Sequence, residues 1–535
     1  MAATAAQATV RRVVIVVLLA IAVGIAAIGL SGLVERMLGL ADPLAGSDTT
    51  GLALALAFAL VGVPLAGVLW WLLWRRLDDP VEREAPSWGV YLLIARTVSL
   101  VVATIGLLEW ADALVGGRWL EAELATGIVW AGVWAWHVWM SRHAGRSPVR
   151  LASVPAVVGA AYGLVLWASG GVRALGALVD AALAGQVVDG FAGSTWWTPV
   201  VEALPWLVVG LAVWWWHLRG EGAGAARTVF ADVVTLLVGI AAAASVALYG
   251  AGTLVDVLLR LAFDASATGA DLAADTGDGV GLLLVGVLVW RIHHRMLAGR
   301  EPAVRSAETF AVSGVAVVAT AIGIGVSVNG GLAALVPAPL AGAFAPTVLL
   351  AGLSALLVGA PVWWLAWRPL RPVPPEEAAS TGRRVFLVVL FGVSALVALI
   401  SLLIIGYRLF EHLLEGAGPA GGLLDAVRAP VGWLVATAVV SAYHFATWRA
   451  DRRHAPTARP DRRRRSVMLV AGGDVDALAT ELGERTGAKV TVLRRIDAET
   501  APDVAAVMAA VETSDAARML VVAGERGVES VPLAE

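Results

Sequence analysis

Trp214-Trp215-Trp216-His217-Leu218-Arg219 closes an apolar run, and the chain repeats this ending in variant form five more times. The others are Trp71-Leu72-Leu73-Trp74-Arg75, Trp136-His137-Val138-Trp139, Trp290-Arg291-Ile292-His293-His294-Arg295, Trp364-Leu365-Ala366-Trp367-Arg368 and Tyr443-His444-Phe445-Ala446-Thr447-Trp448-Arg449. Most of them end a stretch of roughly 18–22 apolar residues, enough to carry a helix across a bilayer. Indole rings favour the headgroup level, and Arg just beyond them favours the cytoplasmic side. The motif therefore reads as a stop signal for every second helix. Its members Trp74, Arg75, Trp139, Trp216, His217, Trp290, Trp367 and Trp448 are the expected membrane-interface anchors.

The composition agrees. Apolar residues make up 59% of the 535 and charged residues 15%, against a globular norm of about 45–50% and 25%. Cysteine is absent, which excludes disulfides, thiolate metal sites and thiol nucleophiles. The basic residues are nearly all Arg, with Lys489 the sole Lys.

The apolar runs pair off at a period of roughly 65–80 residues, the self-similarity of a repeat protein. The first run of each pair opens on basic residues: Val13–Leu30, Tyr91–Leu108, Leu151–Ala168, Val229–Tyr249, Phe310–Val328 and Val385–Ile405. The second closes on the signature: Gly51–Trp74, Leu124–Trp139, Pro199–Trp216, Gly279–Trp290, Ala345–Trp367 and Val431–Trp448. The fourth of these is short and must continue towards Leu297 to span. The run after Arg11-Arg12 is too long for a signal-peptide core and is repeated after Arg383-Arg384, so it reads as an uncleaved first span. The expected architecture is an all-α polytopic bundle of about twelve spans in six tandem hairpins, all in one orientation, over residues 1–450. An Arg- and Pro-rich linker, 451–465, then leads to a small α/β domain, 466–535, with the order β-α-β-α-β-β.

Orientation follows from the loops. About 26 Arg lie in the N-terminus, the links after each signature and the tail linker, against six on the other side. Arg36, Arg118, Arg173, Arg260, Arg408 and Arg428 are those six; Asp42, Asp48, Glu121, Glu123, Asp264, Asp271, Asp275 and Asp278 make that side acidic. The positive-inside rule places both termini in the cytoplasm of a bacterial plasma membrane. After most first helices comes a short segment of helical spacing, such as Gly32–Leu38 or Tyr407–Leu413, expected to lie as an amphipathic turn at the outer interface. Arg462-Arg463-Arg464-Arg465 suits anionic lipid headgroups. No aromatic residues interleave this basic run, which disfavours nucleic acid.

Chemical motifs are few. His137, His217, His293 and His444 recur at signature ends, and anchoring beside Trp accounts for them better than haem or metal ligation, since the facing helices offer no partner ligands in their spans. Gly472-Gly473-Asp474 lies between a strand and a helix, where phosphates bind helix N-termini. It lacks a dinucleotide fingerprint or a Walker Lys and reads as a turn. Pro64, Pro155, Pro205 and Pro361 fall inside expected spans and are assigned to packing. Of the charged residues in spans, Glu202 suits its helix N-terminus, while Arg96 and Asp232 form the candidate intramembrane polar pair, with Arg227 an alternative partner for Asp232. No nucleophile pair, carboxylate dyad or metal motif appears, so neither cofactor nor metal is expected and an enzyme is the weakest class.

The opening Val90-Tyr91-Leu92-Leu93-Ile94-Ala95-Arg96, the polar outer tip and the closing Trp-x-x-[Trp/His]-Arg resemble a bacterial membrane family, domain-of-unknown-function family 5671. That unit has roughly four helices, so the resemblance implies about three copies over residues 10–450. The first repeat lacks the opening Tyr and the fifth lacks a charged outer tip. The family implies architecture and no activity. Two roles are therefore carried forward: a scaffold or sensor whose cytoplasmic domain binds a partner or a further copy of the chain, and a transporter or channel for a small solute.

Overall fold

A computed structural model of the chain describes residues 2–39, 48–184, 197–264, 267–335, 344–368, 380–415, 422–454, 466–473, 475–486, 488–495, 502–512, 516, 518–524 and 527–533. Two compact units emerge, residues 1–372 with 381–447, and residues 373–380 with 448–535. The dividing point falls inside the last long helix.

Among the described residues the first unit is built from twelve long helices. They are α1 (Ala2–Leu38), α2 (Thr49–Arg76), α3 (Pro86–Val115), α4 (Glu121–Arg142), α5 (Val154–Ala184) and α6 (Thr198–Gly220). There follow α7 (Val229–Phe263), α8 (Gly269–Leu297), α9 (Pro302–Ala333), α10 (Phe344–Trp367), α11 (Thr381–Glu415) and α12 (Gly422–His454). Eleven of them are long and apolar enough to cross a membrane. The exception is α4, which opens on Glu121 and Glu123 and spends much of its length on Trp. It nevertheless occupies the place of a second helix in its hairpin, packed on α3. The chain is an integral membrane protein.

Each hairpin closes on itself: α1 on α2, α3 on α4, α5 on α6, α7 on α8 and α9 on α10. In the last, Phe391 of α11 meets Phe445 of α12 with ring centroids 6.3 Å apart. Consecutive hairpins are joined by one rule. The first helix of a hairpin packs on the second helix of the next, so α1 meets α4, α3 meets α6, α5 meets α8 and α7 meets α10. For the final step Gly325 of α9 faces Gly432 of α12, and Arg428 donates to Asn329 Oδ1 at 2.7 Å. Among the described residues, every extensive contact between hairpins joins neighbours. This is the near-one-dimensional logic of a repeat array, in which each unit buries its faces against the next.

Three features depart from the sequence-based expectation. The segments expected to lie flat at the outer interface continue the first helices without a break, so α1 reaches Leu38, α3 Val115, α7 Phe263 and α11 Glu415. No Pro intervenes, and each added residue gains an i→i−4 hydrogen bond, so the helix continues. Pro155 is the second residue of α5, where its missing N–H costs nothing; Pro64, Pro205 and Pro361 are interior as expected. The third is a cavity of about 1300 Å³ between α7, α9, α10 and α11, which the apolar pattern of the spans does not foretell.

In the second unit, β1 (Ser466–Ala471), α13 (Val475–Thr486), β2 (Lys489–Arg494), α14 (Val504–Glu512), β3 (Arg518–Gly524) and β4 (Gly527–Leu533) follow the expected order. The sheet runs β2-β1-β3-β4, with β1 parallel to β2 and β3, and β4 antiparallel to β3. Alternate residues Val467, Leu469 and Ala471 of β1 and Met519, Val521 and Ala523 of β3 point to one core. Val475, Leu478 and Leu482 of α13, spaced as one helix face, and Val507 and Val511 of α14 fill it. Arg462, Arg463, Arg464, Arg465 and Asp474 lie outside the described residues.

A buried ionic cluster at the signature ends of the central helices

Two helices change their hydrogen-bond pattern where hairpins three and four meet. The end of α6 widens into a π turn over Trp216–Gly220, and α7 does the same over Thr235–Ala242. Such turns recur at functional positions because the added residue re-aims the side chains around it. Here the turn is closed by Glu221, whose N–H donates to the Trp216 carbonyl at 3.0 Å.

Glu221 is the centre of the site. Both of its carboxylate oxygens accept from Arg96 Nη2 of α3, and the two side chains are only 4% and 6% exposed. Arg142, at the end of α4, donates to Glu221 Oε1 at 3.2 Å and to the Gly220 carbonyl at 3.3 Å. Arg96 also reaches Ser141 Oγ at 3.3 Å. One carboxylate from the third hairpin therefore clamps both helices of the second. The Arg142 guanidinium also sits 5.1 Å from the centroid of the Trp216 ring, a cation–π contact. Two Arg against one Glu leave a single surplus positive charge.

The expected Arg96–Asp232 pair does not form. Arg96 is taken by Glu221, and Asp232 pairs with Arg300 at 3.0 Å. Arg300 is held in turn by the carbonyls of Ala226 and Gly224, which ties the link after α6 to the link after α8. Burial pushes the Arg300 guanidinium below its ordinary range, against the pull of Asp232. The earlier links are joined in the same way, by Arg146 to Asp78 at 2.7 Å and by Trp88 Nε1 to the Arg146 carbonyl at 3.1 Å. Glu221 escaped sequence reading because it lies two residues beyond a signature, in what looked like a linker.

The histidine row is buried rather than interfacial: His137, His217, His293 and His444 are 0%, 1%, 5% and 2% exposed. In each, Nδ1 lies 2.7–2.8 Å from the carbonyl four residues earlier. A carbonyl only accepts, so Nδ1 carries the proton and Nε2 is directed away from its own helix. His137 Nε2 thereby accepts from Tyr91 Oη at 2.9 Å. The rings of His217 and His293 fill the space over Gly159 and Gly239, where a Cβ would come within 2.3 and 2.4 Å of them. Each histidine is a peg from a second helix into the first helix of its hairpin.

The remaining expected anchors divide. Trp139 and Trp216 are exposed and Trp74, Trp290 and Trp448 are half-buried. Trp74 stacks on Trp139 at 5.2 Å with Arg146 over it, Trp290 stacks on His294 at 5.4 Å, Arg75 covers Trp71, and Arg452 covers Trp448. Trp367 is the exception. It is fully buried, with Arg383, itself 1% exposed, over its ring at 5.1 Å. Its position facing the sixth hairpin, which covers it, removes it from lipid. Among the described residues no three His, Asp or Glu side chains are grouped to hold a metal ion.

The family model "Domain of unknown function (DUF5671)" matches residues 12–118 and 307–439. Two stretches thus match, where the hairpin motifs suggest about three copies. The first copy takes in α1 to α3, and the second takes in α9 to α11 with much of α12. Residues 119–306 lie between the copies, and they contain both π turns, Glu221, Asp232 and Arg300. No curated protein and no solved structure matches the chain.

Proposed function

We propose that this chain, which carries two tandem copies of that domain of unknown function, is a scaffold or sensor of the bacterial plasma membrane. Both ends of the chain face the cytoplasm. The C-terminal α/β domain is the output that binds a cytoplasmic partner or a second copy, and Arg462, Arg463, Arg464 and Arg465 hold anionic headgroups. Catalysis, a cofactor and nucleic-acid binding are not part of this reading.

The observation that carries it is where the charges sit. Arg96, Glu221, Arg142, Asp232 and Arg300 all gather at the signature ends, where Glu221 binds the second hairpin to the third and Arg300 ties Asp232 to the link after α6. Ion-coupled carriers place an ionisable or broken-helix site near the bilayer midplane. Here four hydroxyls inside the spans are satisfied by their own helices: Ser99, Thr104, Thr320 and Thr437 each donate to the carbonyl four residues back. Such groups pack helices together without forming a polar path. Reconstituted vesicles are expected to show no proton-coupled solute uptake. Flux that is lost in Asp232→Asn and kept in Asp271→Asn would make Asp232 a coupling residue and the protein a transporter.

Orientation has its own test, because there is no native cysteine. Gly145 and Gly222 hold φ of 81° and 75°, which a cysteine there would strain. Gly299 is free of both strain and close neighbours. A single cysteine replacing Gly299 should label from the cytoplasmic side only, and one replacing Ala45 or Ala270 from outside only. Labelling of Ala45→Cys from the cytoplasm reverses the topology.

A further inference from the structure

The large cavity is a groove with one polar end. It is lined from Ala307 to Val326 along α9, and at ~1.5 Å per residue that run is about 28 Å, close to the ~30 Å of bilayer hydrocarbon. At the signature end it is closed by aromatic rings, with Phe310 and Phe386 stacked at 5.3 Å and Phe386 against Trp367 at 5.6 Å. Along its length the walls are mostly aliphatic, interrupted by Ser245, Tyr249 and Ser354. At the acidic end they become Thr253, Asp256 and Asp275.

Two buried polar atoms at that end lack hydrogen-bond partners, and they are of opposite kind. Asp256 Oδ1, on the groove wall, is an acceptor, and Arg260 Nε, one helical turn further along α7 and behind the lining residue Asp275, is a donor. Arg260 Nη1 is already engaged by Asp275 at 2.8 Å, while its Nε stands 4.0 Å from Asp264, beyond hydrogen-bond reach. The surroundings are net negative, with Asp256, Asp264 and Asp275 around one Arg. Both atoms are buried in the protein, where an unmet acceptor and donor cost more than they do at a surface.

We infer that the acidic half of this groove binds one bilayer phospholipid with a zwitterionic primary-amine headgroup, its ammonium donating to Asp256 and its phosphate accepting from Arg260 Nε. The acyl chains lie along α7 and α9 between Leu248, Ile322 and Val326. A choline headgroup has no N–H to give Asp256, and a glycerol headgroup brings no positive charge to the acidic cluster. The other half of the groove belongs to the opposite leaflet and offers no charged partner, so it takes chains without headgroup selection.

The full chain reconstituted in vesicles of equimolar phosphatidylethanolamine, phosphatidylcholine and phosphatidylglycerol, then extracted in mild detergent, allows retained lipid to be counted by native mass spectrometry. Phosphatidylethanolamine should be retained about tenfold over the other two, the factor that one charge-assisted hydrogen bond supplies. Asp256→Asn should erase that preference while some lipid remains bound. Ile322→Trp, which fills the groove and leaves the polar end intact, should lower retention of every lipid. Equal retention of the three lipids by the unaltered protein overturns the inference, as does a preference that survives Asp256→Asn. So does a native dimer that Ile322→Trp converts to monomer with bound lipid unchanged, since the occupant is then a second copy.

Discussion

Glu221→Ala is expected to cost about 3–5 kcal/mol of stability, the penalty for leaving one member of a buried ion pair without its counter-charge. Arg96 has no alternative. Its side chain is 6% exposed, and Ser141 Oγ, at 3.3 Å, is a weak substitute. The prediction is sharper as a set of variants. Arg96→Met combined with Glu221→Leu removes both charges and their desolvation together, and should return to within about 1 kcal/mol of the starting protein. Arg142→Ala removes the half-exposed member, 44% open to solvent, and should cost about 0–1 kcal/mol. Unfolding in detergent followed by Trp fluorescence measures all three. If the Glu221 variant is no less stable than the double variant, the cluster does not hold the second and third hairpins together.

The same residues show what a sequence can and cannot reveal here. Hairpin order, repeat period and the α/β tail are written in local patterns, namely apolar runs, a recurring aromatic-basic ending and alternation in Val467–Ala471. Pairing between repeats is not local. Arg96 and Glu221 are 125 residues apart, and Glu221 meets its partner from the residue that closes the π turn at the end of α6. A signature tryptophan looks the same whether it stays exposed, like Trp139, or is covered by the next hairpin, like Trp367. What separates them is the neighbour each repeat acquires on folding. The histidines misled for a related reason. Amphipathicity explains a His beside Trp at a surface, whereas the bond from Nδ1 to the preceding turn satisfies the ring N–H and lets the ring be buried against Gly159 or Gly239.

The close approach inside the third hairpin sets the other large expected effect. Gly163 and Trp167 lie one turn apart on α5, and Gly210 and Trp214 one turn apart on α6. Run antiparallel, each glycine receives the backbone of the other helix's tryptophan. A Cβ on Gly163 would stand 2.4 Å from Trp214 N, and one on Gly210 would stand 2.2 Å from Trp167 N. The two indoles close the crossing with ring centroids 5.9 Å apart. Backbone atoms cannot rotate away as a side-chain tip does, so the helices themselves must separate. Gly163→Ala and Gly210→Ala are each expected to cost about 3 kcal/mol, the upper part of the range for overpacking, even after Ala's advantage in helix propensity of about 0.8–1.0 kcal/mol. Gly24, with nothing within 4 Å of its Cβ position, is the control, and Gly24→Ala should keep that advantage and be neutral or stabilising. The double variant tests whether one crossing is involved. Once a single Cβ has pried α5 from α6, the second meets less resistance, so the two costs should add to less than their sum. Full additivity would mean that the two contacts yield separately, and tolerance of both alanines at the level of Gly24→Ala would show that the helices do not cross this closely.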